Sequence, residues 1–126
     1  MLGSSLVMGF VPVTDGARAR AFYVNVLGLR LVEANPHGEV VDADGTSVRL
    51  IVFEGLVPQP FTILGWAVQD IANTIDGLAA AGVVFERYDG FGQDERGIWT
   101  TPGGDLVAWF KDPDGNVLSL TELTED

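Results

Sequence analysis

The side chains that most often carry out chemistry are scarce in this chain. Among 126 residues there is one histidine, His37, and no cysteine. His37 stands in Asn35-Pro36-His37-Gly38, where Pro and Gly read as a solvated turn. A two-histidine metal site cannot form within one chain, and a turn histidine is not expected to serve a triad. The missing cysteines remove thiolate nucleophiles, thiolate metal sites and disulfides. Gly103-Gly104 follows Pro102 as a turn; no strand, loop and helix with a following Lys surround it, so it is no phosphate cradle. The nucleophile-elbow pattern is also absent. What remains is carboxylates, a few arginines, and aromatic rings: three Trp, two Tyr and seven Phe.

Charge narrows the partners. Seven Lys and Arg against 18 Asp and Glu leave a formal net charge of −11, which disfavours nucleic acid and anionic membrane surfaces. At 47% hydrophobic residues the chain has enough apolar side chains for a core, unlike a disordered acidic tail. No apolar run approaches the ~20 residues needed to span a bilayer. The first ten residues carry no basic region before their apolar stretch, so no secretory signal is expected, and the cytoplasm is the expected location.

These side chains must be placed by elements that occur twice. Val11-Pro12-Val13-Thr14-Asp15 and Trp66-Ala67-Val68-Gln69-Asp70 each end an apolar run and open a helical pattern, with the two Asp 55 residues apart. Asp42-Ala43-Asp44-Gly45-Thr46 resembles Asp112-Pro113-Asp114-Gly115-Asn116 at an offset of 70. The second copy is therefore longer by 15 residues, and Arg87–Thr101, with Gly90, Gly92 and Gly97, is the expected site of the extra length. A long loop there is expected to act as a flap or lid.

Within the first copy, strands are expected over 6–13, 29–34, 39–41 and 47–53. Asp15 should cap a helix running to Val26, with Ala19, Phe22 and Val26 as its inner face. In the second copy, strands are expected over 62–68, 83–86, 98–101, 106–111 and 117–123. Asp70 should cap a helix over 71–81 that stops at Gly82. The Asp-Gly pairs at 44–45 and 114–115 suit tight hairpins.

Ala21-Phe22-Tyr23, Val26-Leu27-Gly28-Leu29 and Phe110-Lys111-Asp112-Pro113-Asp114-Gly115-Asn116, set in two βαβββ repeats, resemble the vicinal oxygen chelate superfamily. That superfamily includes glyoxalase I, bleomycin-resistance binding proteins, fosfomycin-modifying enzymes and extradiol dioxygenases. The resemblance implies an α+β fold: one domain made of two modules, about 5–56 and 60–124, whose curved mixed sheets surround a cup. It also implies a homodimer, because a chain this short would complete its sites with a second subunit.

The resemblance further implies where metal ligands would stand: seven residues before each cap Asp, four after the Gly of Asp-Pro-Asp-Gly-Asn, and at the repeat partner of that last position. Those positions hold Met8, Ile63, Ser119 and Arg49. Met and Ile offer no hard donor, Ser is weak, and Arg repels a cation. No metal and no cofactor are therefore expected, and no catalytic residue is assigned.

Strand alternation adds the other cup-facing side chains. Phe10 accompanies Met8, Ile51 and Phe53 accompany Arg49, Phe61 accompanies Ile63, and Thr121 accompanies Ser119. By the resemblance Trp109 also faces the site, with Val107 beside it. Trp99 is grouped with these as a stacking residue. Trp66 falls on the opposite strand face.

The expected function is metal-free binding of a hydrophobic or planar aromatic, antibiotic-like molecule in an aromatic cup at a dimer interface. Arg49, Ser119 and Thr121 would orient the ligand, and the acidic surface would favour a cationic one. The alternative is a glyoxalase- or dioxygenase-like lyase or isomerase with a rebuilt metal site or a metal-free carboxylate base.

Overall fold

The computed structural model describes residues 1–124. They form two compact units, divided in sequence between Val57 and Pro58. In the first, β1 (Met8–Val13), β2 (Arg30–Asn35), β3 (Gly38–Ala43) and β4 (Thr46–Val52) take the spatial order β1-β4-β3-β2. In the second, β5 (Thr62–Ala67), β6 (Trp99–Thr100), β7 (Leu106–Lys111) and β8 (Val117–Glu122) take the order β5-β8-β7-β6. Strands β1 and β4 are parallel, as are β5 and β8; the other pairs are antiparallel. The fold is α+β, two mixed four-stranded sheets with few helices, and the repeated sequence signals are repeats of topology.

A parallel pair cannot be joined by a hairpin, so each unit needs a crossover element after its first strand. The cap aspartates start these elements. Asp15 Oδ1 accepts the Arg18 N–H at 3.1 Å, and Asp70 Oδ1 accepts the Asn73 N–H at 3.0 Å. Helix α2 (Ile71–Ala80) then runs through its expected span. The first helix does not. Helix α1 covers only Gly16–Arg20 and gives way to a π turn over Ala21–Val26, where the Leu27 N–H reaches the Phe22 carbonyl at 2.9 Å. Its inner face is Ala19 and Tyr23, both fully buried, whereas Phe22 and Val26 are half-buried. The buried pair is four residues apart, one of the two spacings that share a helix face.

Alternation along the strands separates two faces. Val48 and Leu50 of β4, and Ala108 and Phe110 of β7, are buried in their units. Helix α1 packs over β3 and β4, and α2 over β8. The β7–β8 hairpin closes on Asp112, whose Oδ1 accepts the Asp114 and Asn116 N–H groups at 2.9 Å while Oδ2 accepts the Asn116 amide, also at 2.9 Å.

Two strand expectations change. The first strand starts at Met8; Leu6 and Val7 are exposed and unpaired with the sheet. The segment 83–86 is not a strand. It contributes one bridge, Phe85 to Phe110, and one hydrogen bond from the Glu86 N–H to the Trp109 carbonyl at 2.8 Å. Farther along the same β7 edge, Trp99 and Thr100 pair with Val107 and Leu106. The outer edge of the second sheet is thus a strand interrupted by the loop 87–98. This is where the additional residues of the second copy enter the fold.

Gly38 is wedged between Asn35 of β2 and Ile51 of β4 with φ +152, and a Cβ there would drive into the Leu50 carbonyl oxygen. Backbone strain and overlap combine at such a site, so Gly38→Ala should destabilise the fold by about 3 kcal/mol. Urea denaturation checks this value.

Candidate functional site

Register assigns the faces. On the second sheet Trp109 stands opposite Ser119, and Ser119 opposite Gly65. Trp99, Val107, Thr121 and Ala67 form the next cross-strand row, and Lys111, Val117 and Thr62 the row on the other side. Five expected site residues therefore share one face: Trp99, Val107, Trp109, Ser119 and Thr121. Gly65 matters here because a Cβ at that position would strike the Ser119 hydroxyl. Without one, the Ser119 hydroxyl can lean over β5.

A cavity of about 310 Å³ opens on this unit, lined by Pro60, Phe61, Thr62, Tyr88, Phe91, Trp109 and Val117. Phe61 is in the lining. Ile63 is not, because the β5–β8 pairing shifts between Thr62 and Leu64. That bulge breaks strict alternation and gives Thr62 the place opposite Val117.

The sequence reading missed Tyr88 and Phe91. Both come from the loop interrupting the edge strand, and both turn onto the tryptophans. Ring centroids are 5.4 Å apart for Tyr88–Trp109, 5.6 Å for Phe91–Trp109, 5.1 Å for Phe91–Trp99 and 6.0 Å for Trp99–Trp109. The first three pairs meet edge to face and the two indoles lie 27° from parallel, the arrangements that aromatic quadrupoles favour. The available signal was Tyr88-Asp89-Gly90-Phe91-Gly92, two aromatics among glycines in a segment already expected to cover a site.

Polar bonds hold the loop. Gln93 Oε1 accepts the Tyr88 N–H at 2.6 Å, and Gln93 Nε2 donates to the Glu86 and Gly97 carbonyls at 2.9 and 2.8 Å. Arg87 donates to the Asp94 and Glu95 carbonyls. Arg96 forks onto Asp76 of α2, with N–O distances of 2.9 and 3.0 Å. Burial raises the Tyr88 hydroxyl above its ordinary pKa; Glu86 adds to that shift and Lys111 opposes it. The Arg96 hydrogen bond holds the Asp76 carboxyl below its ordinary 3.8.

On the first sheet, Met8 pairs with Ser47, Phe10 with Arg49, and Arg49 with Val40. Met8, Phe10, Arg49 and Ile51 share one face, and Phe53 continues the alternation just beyond β4. The four apolar members of this set are exposed, while Arg49 is half-buried.

The sequence matches the Glyoxalase/Bleomycin resistance protein/Dioxygenase superfamily over residues 5–120. The chain belongs to this superfamily. Several solved structures share the fold across the whole superfamily domain. One, a superfamily member from Sphaerobacter thermophilus DSM 20745, is 26% identical with a TM-score of 0.76, covering 98% of this chain and 100% of that one. TnmS3, an antibiotic binding protein from Streptomyces sp. CB03234, is 29% identical with a TM-score of 0.71, covering 98% and 99%. A glyoxalase/bleomycin resistance protein from the same organism is 30% identical with a TM-score of 0.65, covering 94% and 100%. No curated protein matches the chain.

The donor set does not fit the divalent metal that some superfamily members use. The four expected ligand positions carry a thioether, a guanidinium, a hydrocarbon and a hydroxyl, in Met8, Arg49, Ile63 and Ser119. Among the described residues no three His, Asp or Glu side chains gather as a metal-holding group. Likewise, no helix among them is long and apolar enough to cross a membrane.

The Asp76 carboxyl titrates at a lower pH in the folded state, so its pair with Arg96 contributes stability above pH 3.8. That contribution is lost as pH falls through the depressed folded value. Protection of the amides in residues 87–98, relative to their intrinsic exchange rates, should fall below pH 3.8, and Asp76→Asn should remove that step while leaving protection in β7 and β8 unchanged.

Proposed function

We propose that this superfamily member is a metal-free small-molecule-binding protein that holds a planar aromatic, antibiotic-like ligand against the Trp99–Trp109 wall. One observation carries the reading: four aromatic rings from a loop and two strands converge beside a cavity of about 310 Å³. That volume is at the small end of the range for drug-sized ligand sites, and apolar walls with few polar groups are typical of them. Ser119 and Thr121 supply hydroxyls on the same face. The likeness to TnmS3, an antibiotic binding protein, supports the same class of ligand.

Ring spacing favours a flat ligand over an enclosed cation. A cation held between opposed rings needs each centroid within about 6 Å of the charge. The rings here are themselves only 5.1 to 6.0 Å apart, so they pack on one another and form a wall. The cavity lining contains no carboxylate, which supports binding over a reaction driven by a carboxylate base.

The tryptophans allow a controlled test. Trp66 lies on the opposite face, paired with Leu120 and stacked on Phe110 at 6.3 Å. Quenching of tryptophan emission should detect ligands in a panel of aromatic antibiotics and flavins. Trp109→Ala should weaken the best of them at least about tenfold, about 1.4 kcal/mol, whereas Trp66→Ala should leave the affinity within about twofold and lower the melting temperature instead. Silence across the panel at micromolar concentrations, or equal effects of both substitutions, would sink the reading. The homodimer implied by the family resemblance belongs to the same proposal, and sedimentation should give twice the chain mass of 13.5 kDa.

A further inference from the structure

The chain has seven basic side chains, and six of them have partners. Arg18 donates to the Thr14 hydroxyl at 2.9 Å and Arg87 to two loop carbonyls. Arg20 faces Glu39 at 4.0 Å, Arg30 faces Asp42 at 3.8 Å, Arg96 holds Asp76 at 2.9 Å and Lys111 faces Glu86 at 3.5 Å. Arg49 is the exception. Its Nε is buried with no hydrogen-bond partner, and no ion pair reaches it among the described residues.

The unpaired state is not for want of acids, since the chain has 18. Those on the same sheet are turned elsewhere. Asp42 holds Arg30, Glu33 takes an amide hydrogen bond from Asn35 at 3.5 Å, and Glu39, whose Oε2 is also buried with no hydrogen-bond partner, stands opposite Leu50 on the other face of the sheet, 4.0 Å from Arg20. Across the strands, the immediate neighbours of Arg49 are Phe10 and Val40. A partly desolvated cation between apolar side chains is unfavourable until an acceptor meets it. The residue is only half-buried, so part of it is open to such a group, and Phe10 beside it is 62% exposed.

We infer that this face of the first sheet binds an organic acid, with its carboxylate or phenolate oxygens on the Arg49 guanidinium and its ring on Phe10. This reverses the charge expected from the acidic surface. The surface field acts through solvent and is screened over about 8 Å at physiological salt, whereas Arg49 acts at contact, where a charge-assisted hydrogen bond is about twice as strong as a neutral one. The site is argued independently of the aromatic wall on the second sheet, and its test needs no tryptophan signal.

The probes are 2-naphthoate and its uncharged twin 2-naphthamide, titrated calorimetrically into the full chain. The acid should bind at least about tenfold more tightly than the amide. Arg49→Gln should erase that preference while leaving amide affinity within about twofold. Arg49→Met, which keeps the apolar stem, should hold or raise the melting temperature of the ligand-free protein.

Equal affinity for the two probes, no binding of either, or a preference that survives Arg49→Gln would each overturn the inference. So would a lower melting temperature in Arg49→Met, which would make the arginine structural. A dimer that dissociates on Arg49→Gln would assign the arginine to a carboxylate of a second copy, and would overturn it as well. None of these outcomes touches the quenching test of Trp109, so the two readings fail separately.

Discussion

The side-chain amide of Gln93 is the hub of the second unit's face. It accepts the Tyr88 N–H and donates to the carbonyls of Glu86 and Gly97, joining both ends of the loop that interrupts the sheet edge. An interrupted edge strand leaves backbone groups without ladder partners, and buried ones must be satisfied elsewhere. Gln93 supplies partners to three of them at once. The consequence is a loop held closely enough to present Tyr88 and Phe91 as fixed walls. Without that hub the residues between Glu86 and Ile98 would lose the bonds that aim the two rings at Trp109.

What was legible in the sequence was what is local. Asp15 and Asp70 cap because a short carboxylate reaches an N–H three residues on, whatever the rest of the fold does. The Asp-Gly turns and the strands they join follow from the same kind of short-range chemistry, while it was the family resemblance that directed Trp109 and Ser119 to one face. What was not legible depended on partners distant in sequence. Phe22 and Val26 are only half-buried where the helix passes into a π turn. Ile63 leaves the lining because β5 bulges against β8. The segment 83–86 cannot be a full strand because its pairing edge on β7 is shared with Trp99 and Thr100.

Small residues shape the site as much as the large ones do. Trp99 and Trp109 stand on β6 and β7, toward one edge of the sheet, while Gly65 and Ala67 occupy β5 at the other. The rows therefore descend from indole to hydroxyl to almost nothing: Trp109, Ser119, Gly65. The Ser119 hydroxyl leans over Gly65, into the space a side chain there would fill. The glycine is there for room; a methyl group would collide with Ser119.

The two faces carry different chemistry at the expected ligand positions. On the second sheet, Ser119 occupies an expected ligand position beside the aromatic wall, and under the proposed function recognition there depends on contact area and shape. On the first, the expected ligand position holds Arg49, which replaces an electron-pair donor with a cation. A metal ligand gathers a positive ion that then attracts an oxygen of the small molecule; a guanidinium carries that positive charge itself. Such a charge cannot be chelated away or exchanged. It is present without any ligand, and among the described residues nothing in this chain pairs with it. Folding alone would favour a hydrocarbon of the same length at that position, so under the inferred anion binding the arginine stands where ligand and stability make opposite demands.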